Sequence, residues 1–170
     1  MGGQISDGFD DLLEANALYC SSFALAGLEP RAAKRFALVT CIDTRIEPLA
    51  ALGLRPGDAK IMRNAGGRVT GDVLRSLSVA TALLGVERIA VMHHTECAMA
   101  SSSEPALRAA VVAAGGQVPD DYMLLAMEDP KAALAADVAA VRSSSLLCPG
   151  VVVAGWRYDV TTGRVTLEVS

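Results

Sequence analysis

Aromatic side chains are scarce in this 170-residue chain, at 4% of residues with a single Trp, although hydrophobic residues make up 52%. Ala, Val and Leu must therefore fill the core, and a positive mean hydropathy argues against a disordered chain. Basic runs are also missing and the formal charge is −4, so nothing draws the chain to nucleic acid or to an anionic membrane. No apolar run reaches the roughly 20 residues of a membrane span. The longest uncharged stretches, Ala15 to Leu28 and Ser143 to Trp156, fall short, and Pro149-Gly150 breaks the second. Met1 to Asp7 shows neither a basic segment nor an adjoining apolar run, which argues against a secretory signal and predicts a cytoplasmic protein. In such a reducing compartment the four Cys read as thiols or metal ligands, not as a disulfide framework. With no repeat, low-complexity tract or linker, residues 1–170 form one domain.

What is present alternates between helical and strand patterns. Helical spacing of Leu12, Leu13, Tyr19, Phe23 and Leu25 predicts an amino-terminal helix from Asp10 to Ala26. The short apolar run Phe36-Ala37-Leu38-Val39 reads as a buried strand. Pro48 to Leu52 reads as a short helix, and Ala59 to Met62 as a second strand leading into a loop, Arg63-Asn64-Ala65-Gly66-Gly67. Paired glycines there allow the backbone to pass close to a neighbour. A helix capped by Asp72 and ended by Gly85 precedes a third strand, Arg88 to Met92. Further helices open at Ser103-Glu104-Pro105 and Asp129-Pro130, with Gln117 to Met127 between them as mixed helix and loop. Val151 to Trp156 is a fourth strand, and Thr161-Thr162-Gly163 turns a hairpin that adds an antiparallel edge strand. The fold class is α/β: a mostly parallel sheet of about four parallel strands plus the edge strand, flanked by helices.

Two strand ends carry reactive groups. The first runs into Thr40-Cys41-Ile42-Asp43-Thr44-Arg45, and the third into His93-His94-Thr95-Glu96-Cys97. Parallel strands put both clusters at one carboxyl edge, where ligands bind in open α/β sheets. Cys41, His94 and Cys97 make a set of three zinc ligands that leaves a fourth position open. Taken singly, each half has a plainer reading: Cys41 as a core thiol, His94 as a residue satisfying backbone groups, Asp43 with Arg45 as a surface ion pair. Their co-occurrence around a Gly-rich loop favours the metal site. Cys20 and Cys148 read as buried thiols. His93, on the opposite pleat to His94, is either structural or a proton shuttle.

Cys41-x-Asp43-x-Arg45, the segment Gly57 to Gly66 and His94-x-x-Cys97 together resemble the β-class carbonic anhydrase family, its short archaeal-type branch above all. The similarity runs from about Phe36 to Arg164. It implies reversible hydration of CO2 to bicarbonate by a zinc-bound hydroxide, with one Zn2+ per chain on Cys41, His94 and Cys97. Asp43 and Arg45 would form the family's catalytic dyad, Asp43 ligating the metal only in a closed state. Lys60, Ala65 and Gly66 would line the substrate pocket. A homo-oligomer is implied, a dimer or dimer of dimers, with residues 1–30 as a helical arm reaching over the partner. The same chemistry would serve hydrolysis of COS or CS2, and a non-catalytic structural zinc protein is the further alternative. Departures from the family pattern stand at Thr44, His93, Glu96 and Ala98; Ala98 would be strained if its position required a positive φ.

Overall fold

The computed structural model describes residues 8–170, so the segment Met1 to Asp7 lies outside the described residues. Strand β1 (Phe36–Cys41) is buried along its whole length. Its continuous apolar run fits a central strand covered on both faces. It pairs in parallel with β2 (Ala59–Asn64) on one side and β3 (Arg88–His94) on the other. Beyond β3, β4 (Val152–Tyr158) is again parallel, and β5 (Val165–Val169) closes the edge antiparallel to β4. The order β2-β1-β3-β4-β5 is the mostly parallel sheet with one antiparallel edge strand that the pattern predicts.

Side chains alternate across this sheet. On one face Ala37, Val39, Ile89, Val91 and Val153 pack beneath α3 (Gly71–Leu83) and α5 (Pro130–Ser143), which contribute Val73, Leu77, Leu134, Val138 and Val141. On the other face Phe36, Leu38, Ala90 and Met92 cluster with Ile46, Met127 and Tyr158. This second face has thinner cover, from the short α2 (Pro48–Ala51) and from loops. An apolar groove lined by Phe36, Leu54, Val152, Ala154 and Trp156 remains open on it.

Several local expectations need correction. The cap of α3 is Thr70, whose hydroxyl accepts from the Val73 N–H, while Asp72 sits in the first turn and pairs with Arg75. Helix α1 (Asp10–Ser21) stops short of Ala26 and buries none of its residues. Cys20 on α1 and Cys148 are both exposed rather than buried. Residues 117–127 hold no helix. They are pinned instead to α4 (Glu104–Ala113): the Glu104 carboxylate accepts from the Leu124 and Ala126 N–H groups, and Arg108 donates to the Pro119, Asp120 and Tyr122 carbonyls. Among the described residues no helix is long and apolar enough to cross a membrane.

The paired glycines do serve close approach. Ala65–Gly67 forms a single 3-10 turn in which Gly66 and Gly67 have φ of 79° and 68°. A Cβ on Gly67 would lie 2.9 Å from the Thr40 carbonyl carbon, inside van der Waals contact with the β1 backbone. Gly67→Ala is therefore expected to lower stability by about 1–3 kcal/mol, from left-handed strain plus the clash. Urea unfolding of the variant beside wild type measures this.

Candidate metal centre

Strands β1 and β3 end beside one another, which brings Cys41 and His94 to one edge of the sheet. The turn after β3 then returns Cys97 to the same place. It is secured by the Thr95 N–H donating to the Tyr158 carbonyl and by the Thr95 hydroxyl accepting from the Val160 N–H. The two sulfurs lie 4.0 Å apart. All three candidate donor atoms fall within 4.8 Å of one another, and all three residues are buried.

The imidazole identifies what this cluster suits. His94 Nδ1 is 2.8 Å from the Thr95 carbonyl, an acceptor only, so Nδ1 carries the proton. Nε2 then presents a lone pair, yet it is buried with no hydrogen-bond partner. Leaving such an atom unsatisfied costs about 1–3 kcal/mol. A metal ion shared with the two sulfurs resolves this, and one imidazole with two thiolates is a ligand set proper to zinc. The hydrogen bond between the two sulfurs lowers the Cys41 pKa, helped by the Asp43 and Gly66 N–H groups. The same bond, with burial, pushes Cys97 up. The Gly66 N–H lies 3.3 Å from Cys41 Sγ, placed there by the positive φ just described.

Asp43 and Arg45 sit at the mouth. The guanidinium grips the carboxylate through Nε at 3.0 Å and Nη2 at 2.8 Å, and the Arg45 N–H adds a third bond at 2.9 Å. These bonds hold the Asp43 carboxyl well below the usual carboxylate range and raise Arg45. Asp43 Oδ2 stands 3.9 Å from His94 Nε2, next to the free side of the cluster.

Sequence reasoning missed two supports. Glu96 accepts from Arg45 Nη1 at 2.8 Å, so one guanidinium ties the turn after β1 to the turn after β3. A carboxylate beside a metal-capable Cys was the available signal. It is Glu96, with φ 55°, that takes the left-handed backbone, and Ala98 does not. Arg63 donates to the Cys41 carbonyl at 2.9 Å and to the Asp43 carbonyl at 2.6 Å, fixing the segment between them. Of the expected pocket residues, Gly66 adjoins the sulfurs and Ala65 precedes it at the surface. Lys60 is not brought to the cluster: its Nζ donates to the Pro30 carbonyl at 2.5 Å. His93 faces away from His94 and bonds Asp137 of α5 at 3.1 Å, which gives this residue the structural explanation that the sequence lacked.

Comparison with known proteins agrees with this geometry. A family model described as carbonic anhydrase matches residues 36–118. Beta-carbonic anhydrase 1 of Mycobacterium bovis is 32% identical over 160 residues, covering 92% of this chain and 94% of that protein. Carbon disulfide hydrolase of Saccharolobus solfataricus is 48% identical over 66 residues, covering 39% of this chain and 32% of that protein. Among solved structures, the carbonic anhydrase from Streptococcus mutans superposes with a TM-score of 0.88 at 35% identity, covering 96% of this chain and 99% of that one.

The donor set predicts a response to metal. Zinc in excess over its dissociation constant should raise the melting temperature of chelator-treated protein, by about 4 kcal/mol of added stability at a thousandfold excess. Cys41→Ser should remove most of that rise, as differential scanning fluorimetry with and without zinc will show.

Proposed function

Because the chain belongs to the β-class carbonic anhydrase family, we propose that it catalyses the reversible hydration of CO2 to bicarbonate as a cytoplasmic homodimer, with zinc held by Cys41, His94 and Cys97. The observation that carries this reading is the buried, partnerless His94 Nε2 beside two sulfurs 4.0 Å apart, with a clamped carboxylate 3.9 Å away. When bound, zinc supplies Lewis acidity that makes a water nucleophilic, less strongly with two thiolate ligands than with three imidazoles, so activity should rise toward alkaline pH.

The chain's own residues do the rest. Asp43 stays ionised under Arg45 and is therefore an acceptor only. It takes a hydrogen bond from the attacking water and aims the oxygen lone pair at the carbon of CO2. Arg45 occupies both carboxylate oxygens and so keeps Asp43 from turning onto the metal, which corresponds to the open state. Ile46, Met99 and Met127 cluster with Cys41 and Cys97, giving an apolar wall that suits a small nonpolar substrate. The Gly66 N–H withdraws charge from Cys41 Sγ.

The same constellation serves a second reading, hydrolysis of COS or CS2, which the similarity to a carbon disulfide hydrolase favours. Stopped-flow CO2 hydration from mildly acidic to alkaline pH, with zinc counted per chain and sulfide release measured in parallel, tests both. Full zinc occupancy with neither activity would leave a structural zinc protein. Arg45→Ala is expected to cut turnover roughly 10- to 100-fold while zinc remains bound. Undiminished turnover in that variant refutes the switch role of the dyad.

Two apolar surfaces left uncovered in the single chain support the proposed dimer. On α1, Leu12, Leu13 and Leu18 are 61%, 65% and 75% exposed. The groove lined by Phe36, Leu54, Val152, Ala154 and Trp156 lies open on the thinly covered face. In the proposed dimer each α1 lies against the other copy, and its acidic Asp11 and Glu14 complement Arg88 at the groove. Joint replacement of Leu12 and Leu13 by Glu should convert the dimer to monomer in analytical ultracentrifugation.

A further inference from the structure

Beneath the metal centre, on the far face of the sheet, lies a second cluster of charged groups that the proposed chemistry does not use. Asp137 of α5 is 4% exposed, and both of its carboxylate oxygens are committed. Oδ1 accepts from the Val69 N–H at 3.1 Å. Oδ2 accepts from Arg68 Nε at 2.7 Å and lies 3.1 Å from His93 Nε2. Arg68 in turn donates through Nη1 to the Leu125 carbonyl at 2.9 Å. Its backbone is bracketed by Asn64: the Arg68 N–H reaches Oδ1 at 2.8 Å, and Nδ2 reaches the Arg68 carbonyl at 2.7 Å. Residues 64–68 are thereby closed into a ring, and Gly66, whose N–H meets Cys41 Sγ, lies within it.

We propose that Asp137 is a positioning residue for the metal centre: through Arg68 and Val69 it fixes the loop that aims the Gly66 N–H at Cys41, and through His93 it fixes the strand end that aims His94. Two features of the geometry carry this. The carboxylate is the common hydrogen-bond partner of both segments, and among the described residues it makes the hydrogen bonds that join Arg68, Val69 and His93 to α5. His93 and His94 are successive residues of one strand, on opposite pleats, so rotation of the first about the strand axis turns the second away from the sulfurs. Hydrogen bonds to the ligands themselves, such as that of the Gly66 N–H to Cys41 Sγ, typically govern metal affinity by one to two orders of magnitude, and Asp137 acts by holding that donor in place. A carboxylate serves here better than an amide, because all three donors converge on two oxygens and an amide would turn an N–H group toward one of them.

The inference rests on the reading of Cys41, His94 and Cys97 as metal ligands, and its test separates the two. Zinc affinity is measured by competition with a chromophoric chelator, and the cobalt-substituted protein is scanned for its thiolate-to-metal charge-transfer band. Asp137→Asn should weaken zinc binding roughly 10- to 100-fold and displace the band. Arg68→Lys, which keeps a cation opposite Asp137 and carries the test if the first variant does not fold, should move both in the same direction by less. Leu77→Ala, a core truncation under α3, should lower the melting temperature but leave affinity and band unchanged. Wild-type affinity and an unmoved band in the Asp137 and Arg68 variants, or an equal shift in Leu77→Ala, would overturn the positioning role. Wild-type protein that takes up no zinc would overturn the metal reading itself.

Discussion

Parallel pairing of β1 with β3 is the constraint from which the site follows. With Phe36 opposite Arg88 and Thr40 opposite Met92, the two strands finish within a residue or two of each other at one edge. Side chains 53 residues apart in sequence, Cys41 and His94, thus share a neighbourhood without any special loop. A parallel pair requires a crossover connection, here α2, β2 and α3, and that connection delivers the Gly66–Gly67 turn against the β1 backbone. The scaffold and the ligand geometry therefore arise from one topological choice.

Charge is arranged around this edge in two layers. At the solvent side a single guanidinium, Arg45, spans Asp43 and Glu96 and joins the turns that follow β1 and β3. On the buried side a single carboxylate, Asp137, joins the Gly-rich loop and the end of β3 to a helix. The outer bridge is half open to water and screened, so its worth lies in geometry more than in stability. The inner one is shielded, and removing one partner would strand an opposite charge in the interior. Burial alone would raise the Asp137 carboxyl, but donors from His93 and Arg68 outweigh it and hold the group below its ordinary range.

Much of this was legible in the residues. Short apolar runs and one hairpin turn located every strand, and the placement of both reactive clusters after parallel strands put Cys41, His94 and Cys97 at one edge, where the structure has them. Features that depend on long-range partners were not legible. Nothing near Asp137 in sequence says that it meets Arg68, 69 positions earlier. Helical periodicity alone reports the apolar face of α1 without saying what covers it, and only the family resemblance, which makes it an arm, points to its exposure in a single chain. Cys20 and Cys148 were misread for a related reason: thiols are usually buried, but one rides on that uncovered helix and the other on a surface turn. Lys60 lies in the matching strand but on the wrong part of it, several residues before the carboxyl edge.

The adjoining imidazoles of β3 also bear on how the chain reaches its final state. A slip of one residue in that strand would bring His93 to the place of His94 or, in the other direction, His94 to the place of His93. Either ring could coordinate an ion, so coordination by itself would not discriminate between the two alignments. The buried Asp137 does discriminate, because its bonds to Arg68 and Val69 come from another segment and stay where they are when β3 shifts. A misaligned strand would face that carboxylate with a differently placed ring or none, and the helix thereby proofreads the register of the strand beneath it.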